Sequence, residues 1–150
     1  MEKRKINSAL TFSMLLEWGI WGIDWDEEVN NWKITRYWYK NNSRGKHISH
    51  LKISKAVCKH KYTKDKEYPV VVFSYKNKAY CIPLSRLVYV WHKGDIPEGM
   101  VVDHIDNNPF NNSVENLQLL TPEENLAKRY EDNDFVCCNQ HVAKKYYQKY

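Results

Sequence analysis

The apolar positions of the chain change period several times, and each change predicts an element. Leu10, Met14, Trp18 and Trp21 recur at helical spacing and predict an amphipathic N-terminal helix. Beyond them, Ile23 to Asp26 and Trp32 to Tyr39 read as two strands joined by the polar turn E-E-V-N-N. The second run alternates bulky and polar residues through Ile34, as a half-exposed strand does, before its aromatics blur the period. H-I-S-H-L-K-I-S predicts one further short strand, and the charged K-H-K-Y-T-K-D-K-E a connector. Y-P-V-V-V-F-S-Y, K-N-K and A-Y-C-I-P then read as a hairpin, with Asn77 suited to the positive φ of a tight turn. Ser85 to Lys93 predicts a helix whose buried side carries Leu87, Val88, Val90 and Trp91. Gly94 ends it, and D-I-P-E-G turns the chain back.

The stretch from Met100 to Tyr130 is the most informative. An apolar strand, Met100 to Val102, delivers Asp103 and His104 to a loop dense in Asn and Asp. Leu117 to Leu120 form a second strand. A helix follows with Thr121 as N-cap, Pro122 at its first position and Glu124 completing a T-x-x-E capping box. Asn125 therefore falls in the first turn, within reach of Asp103 and His104. Neighbouring residues on a flat strand diverge, so that pair can share a site only where the strand ends or twists. The fold class is α+β: antiparallel hairpins with helices and a C-terminal strand–strand–helix unit. Absence of repeats and low-complexity linkers gives one domain over 22–130, with its core at 99–130. An N-terminal helix (1–21) precedes it and a basic tail (131–150) follows.

Composition narrows the function. With 43% hydrophobic residues, 14% aromatic, and five Gly and five Pro among 150, the chain has enough apolar material for a core and is neither disordered nor fibrous. A net charge of +5 suits a polyanionic partner. Cys58, Cys81 and the adjacent Cys137 and Cys138 make no ordinary disulfide framework and point to a reducing compartment. Zinc held by Cys58, His60, Cys137, Cys138 and His141 is a weaker alternative, since no C-x-x-C pair supports it. The basic start and apolar run imitate a signal peptide, but Glu17 interrupts the run and no small-x-small site follows. The run is also far short of the ~20 apolar residues a membrane span needs. The expectation is a cytoplasmic protein with no membrane association.

The D-H pair, with Asn116 twelve residues after His104 and Asn125 nine further on, resembles the HNH endonucleases, especially their phage and intron-borne homing-type branch. I-D-W-D, W-K-I-T-R, G-K-H, the hairpin and S-R-L-V-Y-V-W-H-K-G-D-I-P-E-G extend the likeness more weakly over Gly22 to Tyr130. Two positions depart from the family: Asn107 stands where relatives often have Gly, and Ser85 where they often have His.

The resemblance implies a ββα-metal fold and metal-dependent cleavage of double-stranded DNA. Phosphodiester hydrolysis needs an activated water, neutralisation of extra negative charge and help for the leaving oxygen. His104 is then the general base, and Asn116 the second catalytic residue, orienting His104 or tying the loop to it. Asp103 and Asn125 hold a divalent metal, with Mg²⁺ matching a sparse, oxygen-only site. Lys33, Arg36, Lys76, Lys78, Lys128 and Arg129 are the phosphate contacts. Asn107, Asn108, Asn111 and Asn112 read as turn and cap residues, Asp106 as a supporting carboxylate, and His92 as structural. Tyr37, Trp38 and Tyr39 read first as sheet packing and second as a strand lying in a DNA groove beside Arg36, and H-V-A-K-K-Y-Y-Q-K-Y as a docking helix or DNA-touching end. The alternative is a DNA-binding module that keeps the scaffold without catalysis.

Overall fold

A computed structural model describes residues 8–39, 46–58 and 65–131. Along the chain lie α1 (Phe12–Glu17), β1 (Ile20–Asp26), β2 (Asn31–Tyr39), β3 (Lys46–His50), β4 (Ile53–Cys58), β5 (Lys66–Tyr75) and β6 (Lys78–Pro83). Then come α2 (Leu84–His92), β7 (Val101–His104), a 3-10 turn (Val114–Asn116), β8 (Leu117–Leu120) and α3 (Pro122–Glu131). The strands form three antiparallel sheets, ordered β1-β2-β3, β4-β5-β6 and β7-β8. The chain is therefore mixed helix and strand, of the α+β class.

The N-terminal helix is shorter than its periodicity predicts. Thr11 starts it, its hydroxyl accepting from the Met14 N–H at 3.2 Å. Gly19 stops the helical stretch: its φ is 85°, and its carbonyl accepts the Tyr37 N–H at 2.8 Å. A Cβ at this glycine would stand 2.1 Å from the Tyr37 carbonyl oxygen, so only glycine fits. Trp21, expected on the helix, consequently falls in β1. What precedes α1 is tied to the connector after α2, since Leu10 and Ile96 exchange backbone hydrogen bonds at 3.1 and 2.8 Å.

H-I-S-H-L-K-I-S also departs from its single-strand reading. β3 pairs with β2, whereas β4 pairs with β5, and the chain changes sheets at Leu51 and Lys52. The hairpin closes through Lys76 and Asn77 alone, at φ 48° and 60°, with Tyr75 opposite Lys78. Two left-handed residues are what a two-residue type I′ turn requires. Helix α2 starts one residue earlier than read and ends at His92, with Gly94 just beyond its cap at φ 125°.

One apolar core joins these pieces. Leu10, Leu15 and Trp18 meet Ile20, Ile23 and Ile34 of the first sheet, Val71, Phe73 and Ile82 of the second, and Leu117 of the third. Helix α2 lies among them, with Leu84, Leu87, Val88 and Val90 buried at helical spacing. Trp91, expected on that buried side, is half-buried at the rim with its ring 5.0 Å from Phe12. Leu10 and Trp18, read from sequence as part of an N-terminal helix, thus share the core of the rest. Among the described residues, no helix is long and apolar enough to cross a membrane.

Candidate active site

β7 and β8 pair from Val101 opposite Leu120 to His104 opposite Leu117. This short register aims the site. β7 ends at His104, where the Asn107 N–H returns to the His104 carbonyl at 2.9 Å and Asn107 adopts φ 62°. Asn tolerates that conformation better than any residue except Gly, so the departure at this position is accommodated. With the strand ended, Asp103 and His104 line one cavity together.

The loop between the strands is held by its own amides. The Asp106 carboxylate accepts from the Asn111 side chain at 2.8 Å, the Asn108 N–H at 2.8 Å and the Asn116 side chain at 2.9 Å. These donors, Asn111 foremost, hold its pKa down to about 2. Asn116 also accepts the Asp106 N–H at 3.1 Å and donates to the Asn111 carbonyl at 2.8 Å. Of its two expected tasks, Asn116 therefore ties the loop.

The partner of the His104 ring is Asn112, read from sequence as a turn residue. It is 2% exposed, and its Oδ1 lies 2.7 Å from His104 Nε2. The Asn112 Nδ2 donates to the Pro109 carbonyl at 3.3 Å. A carbonyl can only accept, so this second bond fixes which end of the amide faces the ring. Nε2 must carry the proton, and in the neutral imidazole Nδ1 keeps the lone pair.

Helix α3 supplies the third residue. Thr121 Oγ1 accepts the Glu124 N–H at 3.2 Å, and the Asn125 N–H bonds the Thr121 carbonyl at 2.9 Å. Asn125 lines the same cavity as Asp103 and His104. That cavity, about 340 Å³, is completed by Arg129 of α3, Lys66 and Tyr68 of β5, and Ser85 and Arg86 of α2. Ser85 is buried there, so the position where relatives often have His belongs to the site wall.

The expected phosphate contacts separate. Arg129 lines the cavity. Lys128 does not present itself to solvent: its ammonium lies 2.7 Å from Asp103 Oδ2, 2.8 Å from the His104 carbonyl and 2.9 Å from Asn107 Oδ1. Arg36 braces the fold, donating to the Trp18 and Ser74 carbonyls at 2.8 Å each and lying over the Phe73 ring. Burial lowers its pKa, partly offset by Tyr75. Lys33 is 3.7 Å from Asp26 in the first sheet. Lys76 and Lys78 sit at the hairpin tip, while Pro69 and Pro83 at its base line the cavity. Five residue steps at ~3.3 Å put the tip roughly 17 Å away along the strands.

Lys66, Arg86, Asn112 and Gln118 were missed from sequence. Gln118 stands opposite Asp103 and donates to its Oδ2 at 2.8 Å. It could have been found by extending the first strand two residues and reading the register. His92 is structural as read, its Nε2 2.7 Å from the Ile23 carbonyl. The side chains of Cys58, Trp38 and Tyr39, with His60, Cys137, Cys138, His141 and the tail, lie outside the described residues.

A divalent metal fits the donors present. Gln118 and Lys128 both reach Oδ2 of Asp103, and the described hydrogen bonds leave Oδ1 available. Asn125 adds an amide oxygen at the same cavity. One carboxylate and one amide oxygen are donor chemistry that suits a hard cation that keeps waters.

Comparison with known proteins falls on the same part of the chain. Residues 83–127 match the family model of the HNH endonucleases, a stretch that contains α2, both site strands and Asn125. Over that stretch the chain is similar to the HNH endonucleases. It is 55% identical over 42 residues to YosQ, an SPbeta prophage-derived protein of Bacillus subtilis (strain 168) assigned by its name to the HNH homing endonucleases. That match covers 28% of this chain and 24% of the relative. Protein 3.8 of Escherichia phage T7 is 48% identical over 42 residues, 27% of this chain and 35% of its own. Protein L560 of Acanthamoeba polyphaga mimivirus, named as an HNH endonuclease, is 46% identical over 43 residues, covering 28% and 23%. The chain thus spans about a quarter to a third of the length of the curated relatives it matches. No solved structure matches it.

Proposed function

We propose that this protein is a divalent-metal-dependent endonuclease of double-stranded DNA, built on a ββα-metal unit and working in the cytoplasm of a host cell. The observation that carries the reading is His104, fixed through Nε2 by a buried Asn112, sharing a cavity with Asp103 and Asn125. A histidine locked in one tautomer beside two oxygen ligands is a general base with a metal partner.

His104 takes the proton of the attacking water at Nδ1. As it does so, Asn112 Oδ1 continues to accept from Nε2 and steadies the imidazolium. Asp103 and Asn125 would hold the metal, which would supply charge neutralisation for the reaction; Mg²⁺ is the best match. Lys66, Arg86 and Arg129, all lining the cavity, bind flanking phosphates. Asn116 acts at one remove, by fixing the loop that carries Asn112. The relative named as a homing endonuclease supports a mobile-element role for the same chemistry.

The test is supercoiled plasmid incubated with Mg²⁺, with and without chelator, using wild type and His104→Ala. Conversion to nicked or linear plasmid by the metal-loaded wild type alone is expected. Binding without any cleavage would instead identify a catalytically silent DNA-binding module.

A further inference from the structure

Lys128 lies three residues after Asn125, a spacing that places two side chains on one helix face. Its ammonium is surrounded by three oxygens: the Asp103 carboxylate, the His104 carbonyl and the Asn107 amide. The side chains of Lys128 and Asp103 are only 20% and 11% exposed. Lys128 therefore sits on the carboxylate that the proposed function gives to the metal. It does so with a flexible four-carbon stem that can move the charge elsewhere.

A divalent cation and an ammonium on one carboxylate repel each other strongly at this range, where intervening salt screens little. The metal binds best when Lys128 has left Oδ2, and a departing ammonium needs another anionic partner. DNA brings one: a phosphate entering a cavity already lined by Arg129, Arg86 and Lys66. Resting on the nuclease reading of the site, we propose that Lys128 couples metal binding to DNA binding. It occupies Asp103 in the free protein and moves to substrate phosphate in the complex. Linkage then requires each ligand to favour the other.

The experiment is titration of the full chain with Mn²⁺, followed by electron paramagnetic resonance of the free ion. It is run without DNA and with a short duplex, in a His104→Ala background that keeps the duplex intact, and with the duplex-alone signal subtracted. With Lys128 present, duplex should tighten Mn²⁺ binding roughly tenfold, within the usual span of coupling between sites. Lys128→Met should bind Mn²⁺ roughly tenfold tighter without DNA and show little further gain on adding duplex. Lys128→Arg, which keeps the charge, should stay near the parent. Lys128→Gln replaces the Met variant if thermal melting shows that the latter is not folded.

A merely structural lysine predicts the opposite sign, because its loss would loosen Asp103 and weaken Mn²⁺. Unchanged or weaker Mn²⁺ binding by a folded Lys128→Met or Lys128→Gln therefore overturns the coupling, while metal-dependent plasmid cleavage by the wild type leaves the nuclease reading standing. Mn²⁺ binding indifferent to Asp103→Asn, with no plasmid cleavage, overturns both.

Discussion

Asn112 Oδ1 lies 2.7 Å from His104 Nε2, and the same buried amide donates to the Pro109 carbonyl at 3.3 Å. One side chain thus sets both the tautomer and the tilt of the His104 ring. Asn112→Ala should lower kcat by ~10- to 100-fold with KM for DNA little changed, as loss of an orienting partner does elsewhere. It should also cost about 1–3 kcal/mol in stability, because the imidazole N–H is left without its acceptor. Asn112→Asp keeps an acceptor at the same place and should recover part of the rate. Single-turnover cleavage and thermal melting of the three proteins check this; equal rates for wild type and Asn112→Ala would remove Asn112 from the site.

Asp103→Ala and Asn125→Ala should each abolish cleavage while DNA binding largely survives. Affinity comes mainly from cations on phosphates, and neither residue is one. In Asp103→Ala the Lys128 ammonium loses its carboxylate and becomes available to DNA, so binding should hold or rise slightly. Gel-shift affinity and plasmid cleavage, measured on the same preparations, separate the two effects. Parallel loss of both would mean that the substitutions damage the fold.

What could be read from sequence follows the range of the interactions involved. Leu117–Leu120 and the start of α3 coincide with their sequence reading, because strand alternation and the Thr121 cap are local signals. The end of α1 was not legible: Gly19 stops it by pairing with Tyr37, eighteen residues later. The same holds for the break between β3 and β4, which depends on which sheet each strand joins. The D-H…N…N spacing singled out Asp103, His104 and Asn125, which line one cavity. It could not choose among the loop's five asparagines, and only the fold shows that Asn112 reaches the His104 ring while Asn116 closes the loop. Lys128 and Arg36 looked like surface cations because their acceptors lie far away in sequence.

Thr121→Ala removes the hydroxyl that accepts the Glu124 N–H at 3.2 Å. The loss of an N-cap costs about 1 kcal/mol. Activity should fall further than stability, since the capped turn also aims Asn125 and, one turn on, Lys128. Thr121→Ser keeps the hydroxyl and should behave like wild type. Melting temperature and cleavage rate together decide; a variant unchanged in both would mean that the cap does not set the geometry of α3.

The Asp106 carboxyl gives the loop a defined response to acid. Its pKa falls from an ordinary 3.8 to about 2, chiefly through Asn111 and then through the Asn108 N–H and Asn116. A carboxylate whose pKa is depressed by folding stabilises the native loop fully above its unfolded value, and that contribution is lost as pH falls through the folded one. The window is therefore between about 4 and 2, well below the range in which an imidazole changes charge. Acid should open the loop that carries Asn112 and Asn116, and Asp106→Asn should remove this part of the response, since a neutral amide does not titrate. Amide hydrogen–deuterium exchange of residues 105–116, compared between neutral and acid pH after correction for intrinsic rates, reads the loop directly. Wild type should lose protection there on acidification, while Asp106→Asn starts less protected and changes less. Identical acid responses in the two proteins would show that Asp106 does not hold the loop, and that the neighbouring amides suffice without its charge.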